Sequence, residues 1–176
     1  MLQLDAAGFV LRPFLASDAP DFAAAVRESV STVGKWMPWA RADYTDSEAL
    51  DWIVMCDAAR ANGSGHEFGI FGADGAFMGG AGLNQMNPMH AFCNLGYWVR
   101  GSAQRQGAAT AVTAALARYA FEQLQQSRVE IVIADGNLPS MAVARKAGAV
   151  HECLARKRLQ LRGAAVDAHV FSLVPD

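Results

Sequence analysis

The chain has 176 residues, of which 52% are hydrophobic and 18% are charged, and its formal net charge at pH 7 is -2. This length suits one domain over residues 1–176, and the hydrophobic fraction excludes an intrinsically disordered chain. The small negative charge does not favour a generic nucleic-acid-binding surface, so we expect no nucleic-acid partner.

Signals for membranes and metals are weak along the sequence. No segment approaches the roughly 18 apolar residues of a membrane span, so no membrane partner is expected. The N-terminus has no basic start before an apolar run, which argues against a signal peptide, and a cytoplasmic location is the default expectation. Cys56, Cys93 and Cys153 form no zinc-ligand spacing, and the four histidines suggest no metal site.

The first half of the chain predicts a strand, two helices and then three strands. A β-like run at residues 9–14 is followed by a helix at 19–29, with Ser17 and Asp18 as candidate N-caps. A second helix begins at Thr45, which has capping-box spacing to Glu48. Strand-like runs then cover residues 67–71, 77–85 and 91–99, and the short turns between them favour an antiparallel meander.

The second half predicts a long helix, a buried strand, a short helix and a final strand pair. These elements cover residues 107–126, 129–134, 139–147, 150–161 and 166–174, with Gly148 ending the short helix. The whole order contains seven strands and four helices. A meander followed by a strand–helix–strand crossover predicts a mixed α+β fold.

The segment from Gln104 to Thr110 carries the sharpest functional signal. It joins the strand ending at Val99 to the long helix through small residues, so several backbone N–H groups are left free. Together with the helix dipole, these groups form an anion site suited to a pyrophosphate. Gly107 and Ala109 matter because bulk there would keep a phosphate away from the backbone. A loop and helix cap without any ligand fits the same local pattern.

An ordered set of motifs resembles the GNAT superfamily of acetyl-CoA-dependent N-acetyltransferases over nearly the whole chain. The set comprises the strand 95–99, the segment Gln104–Thr110, the strand 128–134, Asn137-Leu138-Pro139-Ser140 and Gly148-Ala149. Arg12, the segment 36–39, Asn137 with Ser140 and the tail 167–173 are similar to the RimJ/RimL branch, the ribosomal-protein alanine/serine N-acetyltransferases. The resemblance implies a mostly antiparallel sheet of about seven strands with a splayed parallel pair, flanked by about four helices.

The resemblance also implies roles for individual residues, with acetyl-CoA as co-substrate and no metal. The implied cofactor-binding residues are Trp98, Val99, Arg105, Gln106, Gly107, Ala108, Ala109, Thr110, Asn137 and Ser140. Ser140 is implied as the catalytic residue, because it matches the position proposed to hydrogen-bond the departing thiolate. The acceptor would be a primary amine or a peptide N-terminus. Trp36, Trp39 and Asn84 are candidates for the acceptor site, although either tryptophan could instead fill the core.

The sequence departs from the family pattern where some relatives carry a glutamate. Residues 156–161, on the strand after the short helix, contain no carboxylate. Substitute bases by residue type are Glu67, His66, His90 and Glu152, each of which also reads as a surface or loop residue. An α-amine has a reference pKa near 8, so water and polar groups such as Asn84 or Asn94 could carry the proton instead.

Several alternatives stay open at this point. A coenzyme-A-binding module without catalysis would explain the missing glutamate, and an antibiotic or polyamine acetyltransferase would use the same cofactor site. Residues 156–158 are basic and could reach the 3′-phosphate of the coenzyme or simply form a solvated strand edge. Cys93 could face the thioester or lie in the core. The oligomeric state is open, with a homodimer as one option.

Overall fold

The chain forms one eight-stranded sheet with four α-helices, in a computed structural model that describes residues 2–175. The strands are β1 (Leu4–Ala6), β2 (Phe9–Arg12), β3 (His66–Phe71), β4 (Phe77–Asn87), β5 (Phe92–Val99), β6 (Arg128–Ala134), β7 (Val150–Leu161) and β8 (Ala164–Leu173). The helices are α1 (Ala19–Glu28), α2 (Asp46–Asn62), α3 (Ala108–Glu122) and α4 (Leu138–Lys146). The spatial order of the strands is β1-β2-β3-β4-β5-β6-β8-β7, and the pair β5–β6 is parallel.

The predicted fold class is confirmed. The sheet has one strand more than the sequence predicts, and this strand is β1 at the N-terminus. β1 pairs antiparallel with β2 through a tight turn, in which Ala7 and Gly8 have φ values of 51° and 93°. A glycine suits this turn because it adopts a positive φ without steric cost. A strand of three residues is too short for its alternation to stand out in the sequence.

Two hydrophobic clusters lie on opposite faces of the sheet. One contains Leu95 of β5 and Leu116 of α3, and the other contains Trp98 of β5 and Phe22 of α1. Successive side chains of a strand point to opposite faces, so β5 contributes to both clusters. The second cluster is rich in aromatic rings, and those of Trp98 and Phe22 meet edge-on with centroids 5.3 Å apart.

The predicted side-chain cap is present at the start of α2 and absent at the start of α1. At α2, the Thr45 hydroxyl accepts from the N–H of Glu48 at 3.2 Å and the Glu48 carboxylate accepts from the N–H of Thr45 at 2.9 Å, which confirms the capping box. Asp18 is the N-cap residue of α1, but its carboxylate accepts two hydrogen bonds from Arg12, at 2.7 and 2.8 Å, instead of capping the helix. No helix within residues 2–175 is long and apolar enough to span a bilayer.

The parallel strands β5 and β6 separate along their length. Three residue pairs join them, and the last is Asn94 with Glu130. Beyond that point β5 stays paired with β4 as far as Val99, while β6 stays paired with β8 as far as Ala134. A cleft therefore opens in the middle of the sheet, between two strands that are each held firmly on their other side.

Candidate active site

A cavity of about 770 Å³ occupies the cleft between β5 and β6 and is called the first cavity here. Its lining comes from β5, the loop between β5 and α3, the second half of β6, α4 and residues 31–37. Most residues that the sequence associates with a cofactor line it, namely Trp98, Val99, Arg105, Gly107, Ala108, Ala109, Thr110, Asn137 and Ser140. Gln106 is exposed and outside this lining, and its side chain lies 3.5 Å from the carbonyl oxygen of Ser102.

The loop before α3 and the first residues of that helix line the first cavity and carry free N–H groups. Arg105 and Gly107 both adopt left-handed conformations, with φ values of 64° and 88°, and α3 begins at Ala108. Within residues 2–175, no acceptor bonds the N–H groups of residues 108–110, and the first helical bond runs from Ala111 to the carbonyl of Gly107. Free N–H groups at a helix N-terminus attract anions.

The charged side chains of the first cavity are all positive. Lys35, Arg105 and Lys146 contribute to its lining, and no aspartate or glutamate within the described range 2–175 does. The basic residues 156–158 of β7, which the sequence offered as a second option for a phosphate, are outside this lining. The donor set of free N–H groups and three cations therefore fits a ligand with several negative charges.

The start of this loop is fixed by the end of α1. Glu28 accepts hydrogen bonds from Arg100 Nε at 3.1 Å and from the N–H of Ser102 at 2.6 Å. The hydroxyl of Ser29 accepts from the N–H of Gly101 at 3.0 Å. Because of the Arg100 hydrogen bond above all, the pKa of Glu28 is lowered to about 2. The loop therefore depends on Glu28 being ionised.

Replacing Glu28 with glutamine is expected to lower the free energy of unfolding at pH 7 by about 1 kcal/mol, a modest value because the carboxylate is partly exposed. The folded pKa lies below the ordinary value, so the stabilisation is present above about pH 4.5 and is lost as the pH falls toward 2. Urea unfolding at pH 7, 4 and 2 should show that the free energies of unfolding of wild type and Glu28→Gln become equal as the pH falls. The control is Glu122→Gln, at an exposed side chain that forms no hydrogen bond or ion pair with residues 2–175. A difference in the free energy of unfolding that is as large at pH 2 as at pH 7 would contradict the prediction.

Ser140 of α4 and Tyr97 of β5 both line the first cavity, and their side chains are in contact. The Tyr97 hydroxyl lies 2.8 Å from Ser140 Oγ and 3.2 Å from the Ser140 carbonyl oxygen. Burial raises the pKa of Tyr97 to about 12, so its phenol keeps its proton at neutral pH. Asn137 holds the start of α4, since its side-chain oxygen accepts from the N–H of Ser140 at 3.3 Å. Tyr97 lies inside the strand motif, but only the folded structure brings its hydroxyl to Ser140.

A smaller cavity of about 340 Å³, called the second cavity here, lies on the α1 and α2 side of the sheet. Its lining is mainly aromatic and includes Phe14, Phe22, Trp39, Tyr44, Trp52, Tyr97 and Trp98. Among residues 2–175, Glu67 is the one charged residue that contributes to that lining. Met37, Gly96, Tyr97 and Trp98 line both cavities, so the two meet at β5 just beyond the point where β6 departs.

The predicted acceptor residues separate between the two cavities. Trp39 and Asn84 line the second cavity, whereas Trp36 lines the first, near the turn after β6. Trp39 is 39% exposed and stacks edge-on against Trp98, with centroids 5.6 Å apart. Cys93 is fully buried in the core, where burial raises the pKa of its thiol to about 11. It therefore packs as a small core residue.

The four substitute bases have different surroundings. Glu152 pairs with Arg128, and that hydrogen bond lowers its pKa to about 2. His90 is exposed in the β4–β5 turn, and His66 contacts Tyr119 in a partly buried site where burial lowers the pKa of the imidazole. Of the four, Glu67 alone lines either cavity.

Within residues 2–175, no group of three or more His, Cys, Asp or Glu side chains could hold a metal ion.

Comparison with known protein families identifies the family of this chain. The model of the acetyltransferase (GNAT) domain matches residues 9–150. The chain belongs to the GNAT acetyltransferase family. It is therefore an acyltransferase enzyme, and the resemblance seen in the sequence motifs is confirmed.

Relatives within the GNAT family carry names of the ribosomal-protein type. YdaF of Bacillus subtilis (strain 168), provisionally named a ribosomal N-acetyltransferase, is 30% identical over 162 residues, which cover 89% of this chain and 86% of YdaF. A Vibrio cholerae structure, provisionally described as a ribosomal-protein-serine acetyltransferase, is 30% identical with a TM-score of 0.87, covering 99% of this chain and 98% of that chain. This GNAT enzyme is thus similar to the ribosomal-protein N-acetyltransferases.

More distant structures share the GNAT fold alone. The ribosomal L7/L12 α-N-protein acetyltransferase RimL, in complex with coenzyme A, has a TM-score of 0.90 at 20% identity and covers 99% of both chains. The microcin C7 self-immunity acetyltransferase MccE, in complex with acetyl-CoA and AMP, has a TM-score of 0.88 at 19% identity, covering 96% of this chain and 93% of that chain.

Proposed function

We propose that this enzyme transfers an acetyl group from acetyl-CoA to a primary amine, and that the amine is the N-terminal α-amine of a protein. The observation that carries the proposal is the contrast between two cavities that meet at Gly96–Trp98. The first cavity is lined by cations and free N–H groups, and the second by aromatic rings and one carboxylate. An anionic acyl donor and a cationic amine could each enter the cavity of opposite charge and meet at β5.

On the donor side, the N–H groups of residues 108–110 would bind the diphosphate, and Lys35, Arg105 and Lys146 would balance its charge. The pantetheine arm would lie along β5 beyond Asn94, where β6 no longer covers that strand. The coenzyme supplies the acetyl group as a reactive thioester. The complexes of RimL with coenzyme A and of MccE with acetyl-CoA support this choice of donor.

On the acceptor side, the second cavity opens to solvent beside Trp39 and Trp52, which are 39% and 38% exposed. Its volume of about 340 Å³ suits one terminal residue and its amine better than a folded surface. The names of YdaF and of the Vibrio cholerae protein support a protein acceptor.

In the transfer, the lone pair of the neutral amine forms a bond to the acetyl carbon, and the carbon–sulfur bond breaks toward sulfur. The amine loses one proton, and the sulfur gains one to leave as a thiol. Tyr97 can donate to Ser140 Oγ, which frees the Ser140 hydroxyl to donate to the sulfur. The raised pKa of Tyr97 keeps this donor protonated over the physiological range.

Ser140→Ala is expected to lower kcat about tenfold while the Kd of coenzyme A changes less than threefold, because the hydroxyl acts mainly as charge develops on sulfur. Stopped-flow or steady-state thiol release gives kcat, and calorimetry gives Kd. Tyr97→Phe, which removes the donor behind Ser140, serves as the companion variant. Equal losses in kcat and in affinity would make Ser140 a binding residue only.

The proposed function is tested by thiol release from acetyl-CoA with two matched sets of short peptides. One set has a free N-terminus and the other has the same sequences with the N-terminus blocked and one internal lysine. Turnover confined to free N-termini, with the acetyl group located there by mass spectrometry, is the expected result. Turnover with polyamines or aminoglycosides but with no peptide would contradict the protein acceptor. Coenzyme binding without any turnover would indicate a binding module instead.

A further inference from the structure

The carboxylate of Glu67 lies in the second cavity, and no side chain among residues 2–175 forms an ion pair with it. Its Oε1 accepts a hydrogen bond from Asn84 Nδ2 at 3.2 Å, and no donor within residues 2–175 bonds Oε2. Arg60, the nearest cation, donates to the backbone carbonyl of Glu67 rather than to its carboxylate. A half-buried carboxylate that no cation balances is a favourable position for a ligand that supplies the missing charge.

Two glycines make room for this carboxylate. Glu67, Gly82 and Gly96 are cross-strand neighbours on β3, β4 and β5. A β-carbon at Gly82 would lie 1.9 Å from Glu67 Oε2 and 2.3 Å from Cδ, so the carboxylate rests directly on the backbone of β4. At Gly96, no heavy atom lies within 4 Å of the corresponding position. The carboxylate is thus extended across β4 beside open space over β5, where the two cavities meet.

A pair of asparagines fixes which oxygen is free. Asn94 Nδ2 donates to Asn84 Oδ1 at 2.9 Å, which orients the Asn84 amide so that its nitrogen faces Glu67 Oε1. Asn84 and Asn94 are direct cross-strand partners and lie on the same face as Glu67. This arrangement leaves Oε2 as the atom available to a ligand.

We propose that Glu67 binds the ammonium form of the acceptor through Oε2 and then removes its proton, which makes it a catalytic residue; this inference rests on the proposed function. The proton moves from nitrogen to Oε2, and the nitrogen lone pair then forms the bond to the acetyl carbon as the carbon–sulfur bond breaks. The electron pair of that bond goes to sulfur, which takes up one proton and leaves as a thiol, while the nitrogen gives up its second proton as the amide forms. Glu67 returns the first proton to water. With one carboxylate among aromatic rings, the site takes an amine with a single positive charge next to apolar groups.

The surroundings of Glu67 suit this role near neutral pH. Burial raises its pKa, opposed by the Asn84 hydrogen bond and by the charge of Arg60 on α2. The other titratable groups around it are Cys56 of α2 and the cavity residues Tyr44 and Tyr97, and burial raises the pKa of each to about 12. These three groups are neutral across the physiological range, so they place no charge beside the Glu67 carboxylate. A carboxylate with a raised pKa is also a stronger base.

The test compares Glu67→Gln with wild type in the peptide assay. At pH 7 we expect kcat to fall about 100-fold while the Kd of coenzyme A, measured by calorimetry, is unchanged. The α-amine has a pKa near 8, so most of the acceptor is already neutral at pH 9. The ratio of wild-type kcat to Glu67→Gln kcat should therefore be about tenfold smaller at pH 9 than at pH 7. A merely structural role would give a deficit independent of pH. Glu122→Gln makes the same chemical change at an exposed site and should leave kcat unchanged.

A second variant keeps the carboxylate but moves it. Gly82→Ala places a methyl group where Glu67 Oε2 now lies, and it should lower kcat about tenfold without changing coenzyme affinity. If wild type acetylates peptides and Glu67→Gln remains within threefold of it at pH 7, the role of Glu67 is overturned and the proposed function stands. If wild type itself acetylates no amine, the proposed function fails and this inference fails with it.

Discussion

Replacing Gly107 with glutamate is expected to weaken the binding of acetyl-CoA about 1,000-fold. The new carboxylate would enter the loop whose N–H groups face the first cavity, close to the position proposed for the diphosphate. Two like charges about 4 Å apart near a protein surface repel by about 4 kcal/mol, which corresponds to three powers of ten in Kd. Calorimetric titration with coenzyme A measures the effect directly.

The matched control for this variant is Gly107→Gln. Gly107 has a φ of 88°, so any residue with a side chain is strained there, but no heavy atom lies within 4 Å of an added β-carbon. Glutamine therefore carries the same strain and nearly the same volume without the charge, and we expect it to lose about tenfold in affinity. Wild-type affinity in Gly107→Glu would mean that the coenzyme binds elsewhere.

Trp98→Ala is expected to lower the free energy of unfolding by about 3–5 kcal/mol, a large part of the stability of an ordinary domain. The indole is 9% exposed and packs edge-on against the rings of Phe22, Phe77 and Trp39. Its removal would leave a void at the centre of the aromatic cluster between α1 and the sheet. Urea unfolding followed by circular dichroism gives the value.

Trp39→Ala provides the contrast, because that ring is 39% exposed at the edge of the same cluster. We expect it to cost about 1 kcal/mol in stability and to raise the KM for the acceptor. Comparable destabilisation by both variants would show that the two rings belong equally to the core. The sequence associates both tryptophans with ligand sites, whereas the structure gives Trp98 a buried side chain in the core, in a residue that lines both cavities.

The parts of the site that depend on the backbone could be predicted from the sequence. The order of strands and helices follows from periodicity and turn residues, and the loop Gln104–Thr110 is recognisable because small residues precede a long helix. The confirmed capping box at Thr45 is equally local, since its two members are three residues apart.

The parts that depend on side chains from distant segments could not be predicted. Lys35 and Lys146 line the same cavity although they are far apart in the sequence, and Tyr97 of β5 meets Ser140 of α4. Glu67 is one of four bases by residue type, and its position over Gly82 depends on the pairing register of β3 and β4. That register includes a shift near Phe71, which no alternation pattern reveals.

The contact between Glu67 and Gly82 also restricts the order in which substitutions can accumulate during evolution. Gly82 has no positive φ, and the three heavy atoms nearest to an added β-carbon all belong to the Glu67 carboxylate, so a side chain there would displace that carboxylate. A larger residue at position 82 therefore moves the carboxylate away from its present position, unless position 67 has already become small. Among homologues, the two positions should therefore vary together, and lineages that have lost the glutamate should be the ones in which the glycine is free to change.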